Sequence, residues 1–292
     1  MNVWARPLYD RFGRFSPLKA TVFLLLFVPG LWFLGLALTG GLTPQPFGFI
    51  IYNSGVWAMW LLLLSLAVTP ARHILRWPEL IAVRRMTGLA GLGYTLFHVV
   101  IYFTLDRTSW ATISADLKRL TIILAIASTL GLLALAVTSF DAAIRRLGSR
   151  NWNRIHNLAY PAIGLAVLHF DMGPESLGGT PFVITGLYFW AMGWRGLHLL
   201  GRGTDAVGLL GLAVASTALS FAFEATWIRY YRGFTEFGTA EELWNAGLGL
   251  AATWQVLIVT LSAAALAGVF ADRRVAARLS RRTAPVGALP AA

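Results

Sequence analysis

GLAGLGYTLFHVVIYF (residues 88–103) and NRIHNLAYPAIGLAVLHF (residues 153–170) are the two stretches that decide the fold of this chain. Both are apolar runs that enclose histidine: His98 lies in the first, and His156 and His169 lie in the second. An ionisable side chain at membrane depth is costly and marks a cofactor, proton or ion site. Because a neutral imidazole is also a good axial ligand of haem iron, the two runs predict a membrane protein with an intramembrane cofactor site.

The composition of the whole chain supports a membrane location. Its 292 residues are 57% apolar and 13% charged, with a mean hydropathy of +0.65, whereas roughly a quarter of residues are charged in soluble domains. The chain has no cysteine, which excludes disulfides, thiolate metal sites and covalently attached c-type haem. Any haem must therefore be b-type.

The apolar residues fall in blocks of roughly 20, the length that a helix needs to cross the hydrocarbon core. Because the alternating pattern of a membrane barrel is absent, we predict an all-α integral membrane protein. Eight spans are expected, near residues 19–38, 50–70, 86–105, 119–139, 152–170, 181–200, 206–223 and 247–270. We predict four regions: a cytoplasmic N-terminal segment (1–18), a six-span domain (19–200), a two-span region with an aromatic outer loop (201–270) and a basic cytoplasmic tail (271–292).

The net charge of +11 indicates topology, not nucleic-acid binding, since arginines cluster in the short segments between alternate spans. With the N-terminus inside, most Lys and Arg residues fall on the cytoplasmic side. The outer segments hold Arg107, Lys118, Arg119, Arg229 and Arg232. Both termini are therefore predicted to be cytoplasmic, and the first span is expected to be a retained signal anchor.

Depth along the helices predicts which histidines pair. At ~1.5 Å per residue, His169 lies roughly 26 Å and His98 roughly 18–26 Å from the cytoplasmic ends of their spans. We expect these two to sandwich one haem near the outer face. The alternative for each histidine is a structural hydrogen bond to a neighbouring helix.

His156 lies only about 6 Å along its span and is expected near the inner face. There it is a candidate ligand of a second haem, with His198, or a loop carrying His73, as a possible partner. A 13-residue spacing does not place His156 and His169 on one face of a straight helix. We therefore expect Pro161, which lies between them, to kink or re-phase that helix.

Arg84 and Arg85 adjoin the span that carries His98, at its cytoplasmic end. Guanidinium groups suit the carboxylates of haem and the phosphate of a flavin because they donate in pairs and stay charged. Anchoring to lipid phosphates explains the same residues equally well.

Two longer segments resemble a known family: TPARHILRWPELIAVRRMTGLAGLGYTLFHVVIY (69–102) and RRLGSRNWNRIHNLAYPAIGLAVLHF (145–170). They are similar to the MsrQ (YedZ) family, haem-binding membrane subunits of periplasmic methionine-sulfoxide reductase systems within the ferric-reductase-like transmembrane superfamily. The resemblance covers about residues 18–200. It implies a six-helix ferric-reductase-like bundle, to which this chain adds two C-terminal transmembrane helices.

The resemblance also implies cofactors, partners and location. His98, His156 and His169 match the haem-iron histidines of the family, and Arg84 and Arg85 match its basic pair. One or two b-type haems and FMN are implied, in the bacterial inner membrane. Electrons would come from a cytosolic flavin reductase or the quinone pool and pass to a periplasmic molybdopterin methionine-sulfoxide reductase resembling MsrP.

Two alternatives stay open at this point. One is a stand-alone haem-dependent ferric or quinone reductase. The other is a non-redox transporter or membrane assembly factor whose histidines serve structure or substrate. We identify no acid–base catalytic residue, and besides these proteins we expect contact with membrane lipid but not with nucleic acid.

Overall fold

The computed structural model describes residues 7–10, 12–42, 46–106, 109–173 and 179–231. These residues form ten α-helices and no sheet, apart from one isolated bridge between Tyr9 and Phe15. The helices are α1 Pro17–Leu25, α2 Val28–Leu38, α3 Pro46–Ile74, α4 Ile81–Ile101, α5 Trp110–Asp116, α6 Leu120–Val137, α7 Asp141–His156, α8 Ala159–Asp171, α9 Gly179–Leu199 and α10 Ala206–Tyr231. The all-α prediction is confirmed for this part of the chain.

Five helical segments are long and apolar enough to cross a membrane, which makes this a multi-pass membrane protein. They are Pro17–Leu38, Pro46–Ile74, Pro78–Thr104, Leu120–Val137 and Ala206–Phe223. The predicted fifth and sixth spans correspond to α8 and α9. The predicted eighth span (247–270), most of the aromatic outer loop and the basic tail (271–292) lie outside the described residues.

The first span is broken, where a continuous helix was predicted over residues 19–38. It divides at Leu26, between α1 and α2. The N–H of Gly30 donates to the Tyr94 hydroxyl (2.9 Å), and that hydroxyl donates to the Leu26 carbonyl (3.0 Å). A side chain from α4 is thus inserted into the hydrogen-bond ladder, a recognised cause of a helix kink. The neighbouring Pro29 has no N–H and so leaves another gap in that ladder.

The predicted span 152–170 is also divided, between His156 and His169. The polar helix α7 ends at His156, and α8 begins at Ala159. Pro161 is the third residue of α8, and the break at Asn157 and Leu158 lies three to four residues before it, where the proline ring would clash with the carbonyl of a continuing helix. The expected interruption between His156 and His169 is therefore present, but as a break between two helices and not as a kink within one.

The long helix α3 lies at the centre of the bundle and packs against α4, α8 and α9. Small residues allow the close contacts that membrane helices need. A Cβ at Gly91 would lie 2.8 Å from Leu62 Cδ2, and one at Gly131 would lie 2.9 Å from Ala162 Cβ. The second contact is joined by a hydrogen bond from Ser128 Oγ to the Ala162 carbonyl (2.8 Å). These contacts set the spacing of the helices that carry His98 and His169.

Candidate functional site

His98 on α4 and His169 on α8 face each other inside the bundle. Their ring centres are 6.4 Å apart and their planes are inclined at 76°. The two residues are 71 positions apart in sequence, so only the packing of α3, α4, α6 and α8 brings them together. The structure therefore has the pair that helix depth predicted.

Each imidazole is held by a backbone carbonyl of a neighbouring helix. His98 Nδ1 lies 2.8 Å from the Ile51 carbonyl oxygen, and His169 Nδ1 lies 2.9 Å from that of Thr121. A carbonyl only accepts, so Nδ1 of each ring must carry the proton. Nε2 of each ring is then left with its lone pair, in the tautomer that metal-ligating histidines adopt.

Two residues of α3 determine where the His98 ring lies. Ser54 Oγ lies 3.3 Å from His98 Nδ1. A Cβ on Gly55 would lie 3.3 Å from the same nitrogen and 3.4 Å from Cε1. The absence of a side chain at Gly55 therefore lets the imidazole lie directly against the backbone of α3.

The two histidines line a mostly apolar cavity of about 490 Å³. Its walls come mainly from α3, α4, α6 and α8. Tyr52 and Phe170 both line the cavity and stack on each other, with ring centres 6.3 Å apart. This volume falls in the range of roughly 300–1,000 Å³ that small-molecule and cofactor sites occupy.

The histidine pair fits an iron porphyrin. Metal–imidazole bonds of about 2.0 Å, plus just over ~1 Å from nitrogen to ring centre on each side, put the centres of two opposite ligands roughly 6 Å apart. The observed 6.4 Å agrees with that value. The apolar walls also suit a group that is held by coordination and packing.

A polar network lies at one end of this cavity, beside α5. The Tyr102 hydroxyl donates to Asp116 Oδ2 (2.6 Å), and Arg119 Nε lies 3.2 Å from Asp116 Oδ1. The Asp116 side chain is 3% exposed and that of Arg119 is 67% exposed. Tyr102 and Arg119 both line the cavity, but Arg84 and Arg85 do not. Arg119 was expected only as a cation of an outer segment, although its place at the outer end of the fourth predicted span, at about the depth of His169, was a usable signal.

His156 lies apart from this pair, at the junction of α7 and α6. Its Nδ1 is 3.2 Å from the Trp152 carbonyl, its Nε2 is 3.3 Å from Ser139 Oγ, and its ring stacks on Trp152 with centres 3.8 Å apart. The expected partners of His156 pair with each other instead: the rings of His73 and His198 have centres 4.7 Å apart. His73 lies in the last turn of α3, where a loop was predicted.

Arg84 and Arg85 point to different neighbours, as adjacent helical residues at ~100° separation do. Arg85 forms an exposed ion pair with Asp141 (3.1 Å), and Arg84 lies near Tyr160 of α8. Arg85 also lines a wide groove of about 1,980 Å³ between the N-terminal segment, the first span and α4. Three further cations of this groove are Arg14, Lys19 and Arg72.

Residues 54–167 match the family described as "Ferric reductase like transmembrane component". Relatives named "Protein-methionine-sulfoxide reductase heme-binding subunit MsrQ" include those of Agrobacterium fabrum (38% identical, covering 60% of this chain and 81% of the relative) and Rhodospirillum rubrum (36%, 61% and 84%). The chain is also 33% identical to the magnetosome protein MamZ of Magnetospirillum gryphiswaldense, over 62% of this chain and 30% of that protein. No solved structure matches the chain significantly. Because the alignments to the first two relatives cover most of their length, this chain belongs to the MsrQ family of ferric-reductase-like membrane proteins.

Proposed function

We propose that the protein is the haem-binding membrane subunit of a methionine-sulfoxide reductase and relays electrons across the bacterial inner membrane. The observation that carries this proposal is the pair formed by His98 and His169. In each ring the contact with a backbone carbonyl requires the proton to be on Nδ1. The two rings face each other across an apolar cavity at a spacing that suits one iron.

In this proposal His98 and His169 would hold one b-type haem through its iron. The haem would supply one-electron chemistry, and the chain would supply its position and surroundings. The Ile51 and Thr121 carbonyls hold the two rings in the ligating tautomer, and the apolar walls exclude water. Arg119 is the cation on the cavity wall and would bind a haem carboxylate, while Tyr102 and Asp116 hold its side chain in place.

The groove beside α4 is the place proposed for electron entry. In the part of the chain that the structure describes, its four cations exceed its three acidic residues (Asp10, Glu79 and Asp141), and this positive excess would attract an anionic flavin such as FMN, with Arg85 as the contributor expected from the sequence. Arg84, near Tyr160, would support α8 from the same side of the bundle. The donor would be a cytosolic flavin reductase or a quinone, and the acceptor a periplasmic molybdopterin methionine-sulfoxide reductase of the MsrP kind.

His156 is proposed to shape the inner end of this pathway. A second haem there would have to displace Ser139 from Nε2, and the described residues offer His156 no histidine partner. We therefore propose one haem per chain. We also propose that both termini are cytoplasmic. The proposed regions of the chain are 1–18, 19–200, 201–270 and 271–292.

The test is a reduced-minus-oxidised spectrum of the purified full chain, with pyridine haemochrome quantitation and a separate flavin extraction. One b-type haem per chain is expected, lost in His98→Ala and in His169→Ala and retained in His156→Ala. A chain without haem after expression with adequate haem supply would refute the proposal and favour the transporter or assembly-factor alternative.

A second candidate function is a stand-alone ferric or quinone reductase, which the matched family description favours. The two candidates differ in the electron acceptor. If the reduced haem is reoxidised by a ferric chelate or a quinone but not by the periplasmic reductase with its methionine-sulfoxide substrate, the second candidate is correct.

A further inference from the structure

We propose that His73 and His198 form a second metal site, which binds one divalent ion of the class that prefers imidazole ligands, such as Zn²⁺. The two residues join the last turn of α3 to the last turn of α9. Their ring centres are 4.7 Å apart, with planes inclined at 53°. The site is separate from the haem cavity, whose walls contain neither residue.

The spacing of the two rings is that of neighbouring ligands on one small ion. With metal–nitrogen bonds of about 2.0–2.1 Å, each ring centre lies ~3.2 Å from the metal, so ligands at roughly 90–110° have centres roughly 4.5–5.2 Å apart. Opposite ligands would be roughly 6 Å apart by the same geometry. The 4.7 Å of this pair matches the first case, whereas the 6.4 Å between His98 and His169 matches the second.

Both rings are held in place. His73 Nδ1 lies 2.9 Å from the Thr69 carbonyl, so this nitrogen carries the proton and Nε2 is left to bind a metal. His198 stacks on Trp194, with centres 4.8 Å apart and planes at 12°, and Trp194 is itself only 1% exposed. Trp194 Nε1 donates to the Gly203 carbonyl (2.8 Å), and a Cβ on Gly203 would lie 2.9 Å from His198 Nδ1. Gly203 thus packs closely against the Nδ1 edge of the His198 ring.

Two nearby cations, Arg195 and Arg202, have other partners, which lowers their repulsion of a metal ion. Arg195 donates to the Leu66 carbonyl and lies over the Tyr160 ring. Arg202 forms an ion pair with Asp205 (2.6 Å). Among the described residues there is no cluster of three or more potential ligands. The ion would therefore complete its coordination with water and exchange readily, unlike a structural zinc.

The test is a titration of ZnCl₂ into the haem-loaded full chain, washed with chelator and followed by calorimetry. The variants are His73→Gln and His198→Gln, and the control is Leu199→Gln, whose side chain is 87% exposed. One Zn²⁺ per chain is expected in the wild type and the control. Each histidine variant should bind at least about tenfold more weakly, since even loss of a partner behind a metal ligand costs roughly 10–100-fold.

Cu²⁺ as a second probe tests the ligands directly by electron paramagnetic resonance. Hyperfine splitting from two imidazole nitrogens is expected in the wild type and from one in His198→Gln. Because His198 is exposed, that variant should fold, and its unchanged haem spectrum would show that the site is separate. Absence of Zn²⁺ binding in the wild type, or unchanged binding in either histidine variant, would overturn the proposal.

Discussion

Gly55 offers the sharpest test of how the haem-site geometry arises. We predict that Gly55→Val lowers haem affinity while Gly55→Ala is tolerated. A Cβ at this position lies 3.3 Å from His98 Nδ1, whereas optimal contacts between such atoms are at about 3.5–4.0 Å. Alanine therefore needs a shift of only a few tenths of an ångström. Nδ1, now 2.8 Å from the Ile51 carbonyl, can move that far and stay near the usual limit of about 3.2 Å.

Valine adds two further carbons beyond that Cβ, and the ring must then rotate away from α3. Overpacking of this kind costs typically 1–3 kcal/mol. If that cost falls on the ligating position of the ring, haem binding weakens by roughly 5–150-fold, since 1.4 kcal/mol corresponds to about tenfold.

The assay is a titration of hemin into haem-free protein, followed by the absorbance of the six-coordinate form. The matched control is Gly35→Val in α2, where a Cβ would meet nothing within 4 Å. This control carries the same helix-propensity cost without the contact. Equal affinities for Gly55→Val and the wild type, or an equal loss in Gly35→Val, would refute the reasoning.

Three further outcomes are expected. Tyr94→Phe should lower the thermal stability of the chain by the equivalent of about 1–3 kcal/mol, since it removes two hydrogen bonds at the break of the first span; an unchanged denaturation midpoint would contradict this. Arg119→Gln should retain haem but lower its midpoint potential, because a cation beside the haem favours the reduced form; redox titration measures it, and an unchanged potential excludes contact with the haem. The hydrogen bond from Arg202 lowers the pKa of the Asp205 carboxyl below its ordinary 3.8, and the hydrogen bond from the Gly208 N–H lowers it further. This carboxylate therefore stabilises the start of α10 above pH 4 and loses that effect as pH falls through the lowered pKa. The hydrogen-exchange protection factor of the Gly208 amide, which removes the pH dependence of the intrinsic rate, should fall over that range in the wild type but not in Asp205→Asn.

Much of the helical layout follows from sequence because the membrane restricts the choices. Blocks of apolar residues mark most spans, and the rise per residue gives each histidine a depth. That depth was enough to select His169 over His156 as the neighbour of His98. The depth estimate succeeded because His98 and His169 both lie in the last turn of their helices, α4 and α8.

The interruptions of the helices were not predictable in this way. The break in the first span depends on the Tyr94 hydroxyl, which comes from a helix more than 60 residues away and replaces a backbone partner. The polar sequence before His156 was assigned to the same span as His169, whereas it forms a helix of its own. The contact of His73 with His198 likewise depends on the side-by-side packing of α3 and α9, which hydropathy does not encode.

Helix α4 carries three residues that were discussed above, each with a different role. Arg85 lies at the groove, Tyr94 is fastened to the first span, and His98 faces the cavity one turn beyond Tyr94. The groove and the haem cavity are therefore not independent, because α4 lines both of them. A variant of α4 that fails to pass electrons cannot be assigned to donor entry or to iron binding until flavin and haem have both been counted in it.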